Sequence, residues 1–237
     1  MTIETTVSMT HPNGIATVVP RVVSLARMAG MNMTLRSVQI PTFQVCCTLE
    51  LAPALAGGTR AYTATEVLIL AAARALRLYP AAHTCLVDGR VHEYTRTRVG
   101  ILLRSHDALL PLVFVDAELS SLDVLRAERA ELQAQLNSSG RLPAERTLAP
   151  TFVISNLGNR SVDWFTTVLF PDTAMTLAVG SLGAPGLTSY QCRAVLTCDH
   201  RLVDGVDGAE FLDALGTCIS DPHHESRSDE PAPGRPG

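Results

Sequence analysis

Lysine is missing altogether: all 19 basic residues among the 237 are arginine. A GC-rich genome produces such a bias by itself, but the chemical consequence stands whatever the cause. No side chain can form a Schiff base, act as an ammonium catalyst or carry a prosthetic arm through an ε-amine. Gly57-Gly58 therefore cannot belong to a phosphate-cradling P-loop, which needs its lysine. Long apolar runs are lacking too. The most apolar stretch, Val67 to Leu78, is interrupted by Arg74 and Arg77 and is too short to span a bilayer. No charged n-region followed by an apolar h-region marks a secretory leader. Net charge is only −4 and no basic block exists, which argues against tracking a nucleic-acid backbone. Cys46, Cys47, Cys85, Cys192, Cys198 and Cys218 form no C-x-x-C pair and no zinc-spaced Cys/His cluster. They read as ordinary thiols in a reducing, cytoplasmic setting with no bound metal.

What is present is an apolar fraction of 46%, enough for a substantial core. The pattern predicts a loose arm over 1–18, one folded domain over 19–220 and a disordered tail over 221–237, rich in Pro, Gly, Ser and charge. Val22 to Met33 has helical spacing, and Pro41 to Leu51 alternates as a strand. If that run is a strand, Cys46 and Cys47 point to opposite faces. Thr63-Ala64-Thr65-Glu66 is a capping box opening a buried helix that ends before Pro80. Val99 to Leu103 and Pro111 to Val115 read as strands. Ser120 to Asn137 reads as an amphipathic helix with Leu122, Leu125, Ala130, Leu132 and Leu136 on its apolar side, stopped near Gly140. Strands follow at Thr151 to Ser155, Met175 to Val179 and Tyr190 to Cys198. The last of these carries Cys192, Ala194, Leu196 and Cys198 on one face. A final helix spans Gly205 to Ile219. The class is α+β: a mixed sheet with flanking helices. His83, His92, His106, His223 and His224 have no partner pattern and read as packing or surface residues.

The chemistry concentrates in Asp199-His200-Arg201-Leu202-Val203-Asp204-Gly205. A histidine just before a helix, with a carboxylate four residues on, suits a general base. About 45 residues upstream lies Thr151-Phe152-Val153-Ile154-Ser155-Asn156-Leu157-Gly158. Together these segments resemble the catalytic domain of the dihydrolipoyl acyltransferases of 2-oxo acid dehydrogenase complexes. That family reads T-F-T-I-S-N-L-G and S-C-D-H-R-x-x-D-G in these places. Val162-Asp163-Trp164-Phe165, Pro171 and Leu177-Ala178-Val179-Gly180 fit the same block. The looser H-x-x-x-D-G pattern is shared with chloramphenicol acetyltransferase. Two motifs at this spacing are far more specific than either alone.

The resemblance covers roughly residues 20–220 and implies a chloramphenicol acetyltransferase-like fold, assembled as a homotrimer with active sites between subunits. It implies acetyl-CoA as acyl donor, His200 as general base and Ser155, from the neighbouring subunit, as oxyanion donor. Asp204 would order the loop and hold the imidazole through an arginine, with Arg27 as partner. Asp199 and Arg201 would brace the turn, and Gly205 would allow close packing at the helix start. Asn156 and Gly158 would touch the cofactor. Three departures stand out. No lipoyl or peripheral-subunit-binding segment is found, and no lysine could carry a lipoyl group. Polar Asp221-Pro222-His223-His224 replaces the apolar tail of the members that assemble large cores. The arginine pattern near the N-terminus is eroded. These favour an isolated trimer acting as a free-standing O-acetyltransferase on a hydroxyl of a small molecule, in natural-product biosynthesis, with a hydroxymethyl tetronate as one acceptor. Two alternatives stay open: a dehydrogenase-complex core that moves acyl groups between dihydrolipoamide and CoA, and a catalytically dead scaffold. Neither nucleic acid nor membrane is expected as a partner.

Overall fold

A computed structural model describes residues 9–10, 17–18, 24–55, 62–105 and 108–221. Its strands are β1 (Met9–Thr10), β2 (Thr17–Val18), β3 (Thr42–Glu50), β4 (Thr84–Val87), β5 (Arg90–Glu93), β6 (Arg98–Ser105), β7 (Ala108–Val115), β8 (Phe152–Asn156), β9 (Met175–Val179) and β10 (Gln191–Asp199). The α-helices are α1 (Leu25–Ser37), α2 (Ala52–Leu55), α3 (Ala64–Leu78), α4 (Leu122–Ser139) and α5 (Gly205–Ser220). Within the expected arm, β1 and β2 pair with each other; the rest of the arm, His106, and the tail beyond Asp221 lie outside the described residues.

Six strands form the main sheet in the order β3-β10-β9-β8-β6-β7. The β6–β8 and β8–β9 pairs are parallel and the others antiparallel, so the sheet is mixed. Strand alternation divides it cleanly. Cys192, Ala194, Leu196 and Cys198 share one face with Leu177 and Val179 of β9 and Phe152 and Ile154 of β8, and this face meets α3 and α5 in one core. Gly208 permits the close approach of α5: a Cβ there would sit 2.9 Å from Val45 Cγ2 and 3.5 Å from Cys198 Sγ.

The opposite face is covered by the irregular chain between β8 and β9. Thr197 Oγ1 donates to the Thr167 carbonyl at 3.1 Å, and the Phe170 amide to Thr176 Oγ1 at 3.0 Å. At Gly180 a Cβ would lie 2.2 Å from the Asp163 carbonyl oxygen, so only glycine lets this cover close.

The capping box of α3 forms as expected. The Thr63 amide donates to Glu66 Oε2 at 2.8 Å. Glu66 is fully buried and its other oxygen receives Arg129 Nε at 2.6 Å. These hydrogen bonds hold the Glu66 carboxyl below the usual range despite its burial. On α4, Leu122, Leu125, Leu132 and Leu136 are buried as expected, but Ala130 is exposed. Five residues past Leu125 is about 140° round the helix, whereas Arg129, four past it, faces inward.

Candidate active site

The turn carrying His200 is fixed from several sides. Asp199 ends β10 and is buried; its amide donates to the Ala174 carbonyl at 2.9 Å. Its own carbonyl accepts the amides of Leu202 (3.0 Å) and Val203 (3.1 Å). Its carboxylate accepts the Arg201 amide and Nε at 2.9 Å each and Nη2 at 2.6 Å. Three donors to the carboxylate offset the cost of its burial. The His200 amide donates to the Pro41 carbonyl at 2.9 Å. Its exposed ring lies 4.8 Å from the Phe43 ring, tilted by 60°.

Asp204 is the N-cap of α5. Its Oδ1 accepts the amides of Val206 (2.8 Å) and Asp207 (3.1 Å), and its own amide donates to Asp207 Oδ2 at 2.8 Å. The carboxylate therefore orders the loop through the helix terminus. Arg27 does not join it. Arg27 is exposed in the first turn of α1, where its amide donates to Ser24 Oγ at 3.0 Å, and its guanidinium forms no ion pair among the described residues. The helix in fact runs from Leu25 to Ser37, and the arginine at its C-terminal end, Arg36, binds Asp172 through both carboxylate oxygens at 2.9 Å. Gly205 differs from expectation as well: a Cβ there would meet nothing within 4 Å, and the crowded glycine of α5 is Gly208.

Ser155 is half-buried on β8, on the face turned away from the helical core, opposite Ala178 of β9. Asn156 is committed internally. Its Oδ1 accepts the Gly158 amide at 2.7 Å and its Nδ2 donates to Thr65 Oγ1 at 3.3 Å. Asn156 and Gly158 border a cavity of about 390 Å³ at the carboxyl ends of β8 and β9 and beside the middle of β6, with Thr63, Thr65, Arg129 and Leu182. Ligands commonly sit in such a position. A second cavity, of about 220 Å³, lies beside the His200 turn between Arg36, Asp172, Asp199 and Arg201.

Ser155 and His200 are not brought together within the chain. Ser155 aligns with Ala178, and Ala178 with Val195, five residues before His200. Two strand spacings and five residues along a strand separate them by roughly 19 Å. A hydroxyl and an imidazole acting on one substrate must each be within hydrogen-bond reach of it.

Burial pushes the thiols of Cys192 and Cys198 up to about 12, and those of half-buried Cys47 and buried Cys218 to about 11, so they stay protonated. Among the described residues no His/Cys/Asp/Glu group could hold a metal, and no helix is long and apolar enough to cross a membrane. Met28, Met31 and Leu35 of α1 and its C-cap residue Val38 form one exposed apolar stripe at helical spacing.

Residues 24–225 match the family described as 2-oxoacid dehydrogenases acyltransferase (catalytic domain). Component 3 of the mitochondrial dihydrolipoyllysine-residue acetyltransferase of the pyruvate dehydrogenase complex from Arabidopsis thaliana is 31% identical over 178 residues, covering 70% of this chain and 33% of that protein. The chain thus spans about a third of that relative's length. Among solved structures, the truncated catalytic core of the Thermoplasma acidophilum 2-oxoacid dehydrogenase multienzyme complex superposes with a TM-score of 0.77 at 22% identity, covering 87% of this chain and all of that one. Dihydrolipoamide acetyltransferase of Azotobacter vinelandii, investigated for the role of a serine, a histidine and an asparagine in its catalytic mechanism, gives 0.71 at 21% identity, covering 85% and 93%. Chloramphenicol acetyltransferase gives 0.52 at 12% identity, covering 84% and 99%. These similarities show the expected fold.

Proposed function

The chain belongs to the acyltransferase catalytic-domain family of the 2-oxoacid dehydrogenases, and on that premise we propose that it is an acetyl-CoA-dependent O-acetyltransferase working at the interfaces of a homotrimer. The observation that carries the interfacial site is the separation of roughly 19 Å between Ser155 and His200 within one protomer. Both motif residues are retained, yet only the juxtaposition of two copies can complete a site. The exposed apolar stripe of α1 supports such self-association.

The imidazole of His200 takes the proton of the acceptor hydroxyl as its oxygen attacks the thioester carbon. Ser155 of the adjoining copy donates to the oxyanion. The C–S bond then breaks, and the imidazolium returns its proton to the CoA thiolate. No acyl-enzyme forms; both substrates are held together and proximity supplies much of the acceleration. Asp204, through its cap on α5, keeps the His200 turn in place.

The acceptor in this reading is the hydroxyl of a small molecule, with a hydroxymethyl tetronate intermediate of natural-product biosynthesis as the first to try. The chain's similarity to dihydrolipoamide acetyltransferases favours a second reading, transfer between dihydrolipoamide and CoA. The test is CoA-thiol release from acetyl-CoA with a panel of alcohols including that tetronate, and with free dihydrolipoamide, beside His200→Ala. Alcohol-dependent release lost in the variant is the expected result. Transfer to dihydrolipoamide alone supports the second reading, and no transfer to any acceptor leaves a scaffold without activity.

A further inference from the structure

The start of β3 meets His200 at two points. The Pro41 carbonyl accepts its amide at 2.9 Å. Two residues on, the Phe43 ring stands against the imidazole, with centroids 4.8 Å apart and planes tilted by 60°. That separation lies within the range of direct aromatic contact. Phe43 is half-buried and is itself held in place. It pairs with Cys198 in the β3–β10 register, and α5 comes close to the ring: a Cβ at Gly208 would lie 3.6 Å from Phe43 Cε2.

Rotation about χ2 of a histidine is broad rather than confined to narrow staggered wells. Among the described residues no hydrogen bond holds either nitrogen of the His200 ring. The ring is therefore oriented by contact, and Phe43 supplies the aromatic wall. A general base must aim one nitrogen at the acceptor proton, within hydrogen-bond reach. We propose that Phe43 is a positioning residue for acyl transfer: its ring narrows the rotation of the His200 imidazole and holds it in the orientation that takes the proton. The role in transfer rests on the function proposed above; the ring contact does not. The plainer role for Phe43 is packing of β3 against α5. Val45 shares that role without touching the imidazole ring pair, since the same Cβ at Gly208 would lie 2.9 Å from Val45 Cγ2.

Two variants separate the roles. Phe43→Leu removes the aromatic wall and keeps an apolar side chain in the packing; Val45→Ala loosens the same β3–α5 contact and leaves the Phe43 ring in place. If Phe43 positions the base, Phe43→Leu lowers kcat by about three- to tenfold, the equivalent of one aromatic pair, while KM for acetyl-CoA and for the acceptor holds. Val45→Ala lowers Tm and keeps wild-type kcat. In histidine-labelled protein, the imidazole protons of His200, assigned by their loss in His200→Ala, carry a ring-current shift that collapses toward free-histidine values in Phe43→Leu. Wild-type kcat in Phe43→Leu overturns the proposal, and so does a kcat loss that both variants share in proportion to Tm. Should the wild-type protein transfer no acyl group, the functional reading fails, and the imidazole resonances still decide whether Phe43 fixes the ring: shifts unchanged in Phe43→Leu overturn that link.

Discussion

Acidification should weaken this fold through His83. The side chain is 3% exposed, its Nε2 is 2.9 Å from Thr151 Oγ1, and its ring lies 5.4 Å from that of Tyr94. Thr151 Oγ1 also accepts the Arg98 amide at 3.0 Å, which leaves the hydroxyl proton for the imidazole nitrogen and favours a neutral ring. Burial first, and the charge of Arg77 second, push its pKa from 6.5 to about 4. The folded state therefore resists a proton that the unfolded chain accepts below about 6.5. Stability is complete above that pH and is lost as pH falls toward the folded value. A gap of this size corresponds to about 2 kcal/mol lost by pH 5 and about 3 kcal/mol by pH 4. The assay is urea unfolding of wild type and His83→Asn at fixed protomer concentration, from pH 7.5 to pH 4. Asparagine does not titrate, so other groups such as Glu66 cancel in the difference. The wild-type curve should fall away from the variant's by about 2 kcal/mol at pH 5. Parallel curves would refute the reasoning.

Two further changes test the cover and the turn. Gly180→Ala drives a Cβ into the Asp163 carbonyl, where backbone stands on both sides, and should cost about 3 kcal/mol by thermal unfolding; Gly205→Ala, with open space around it, should leave Tm unchanged or slightly raised. Asp199→Ala strips three donors of a buried acceptor and should cost about 2 kcal/mol or more. It should also lower kcat more than it raises KM, because the loss falls on the turn that aims His200.

Local signals in the sequence were strong where one physical rule governs a segment. The Thr63 and Glu66 box, the alternation of β10 and the αL glycine Gly140 after α4 are each decided by a few neighbours. The β4–β5 hairpin carries a local signal of the same kind. Asp88-Gly89 carries two positive φ values, 50° and 72°, and Asp-Gly is a strong signal for such a turn. Arg129 escaped because its partner Glu66 is 63 residues away, and a polar residue on a helix reads as solvent-facing until that partner is known. Gly180 and Gly208 matter only through chains brought to them by the fold. The site divides in the same way. Residues 199–205 form one turn because they are contiguous. The distance from that turn to Ser155 depends on the order of β8, β9 and β10, which neither motif contains.

Subunit mixing addresses the shared site most directly. Ser155→Ala and His200→Ala are each expected to be nearly inactive, with losses of about 100-fold or more. Unfolded together in equal amounts and refolded as random trimers, they should regain about a quarter of wild-type activity. An intact site then needs His200 from one variant and Ser155 from the other, at half probability each. Activity that returns to this level, and declines as either variant is diluted out, is the result expected for sites shared between copies. A mixture no more active than its separate components would contradict it.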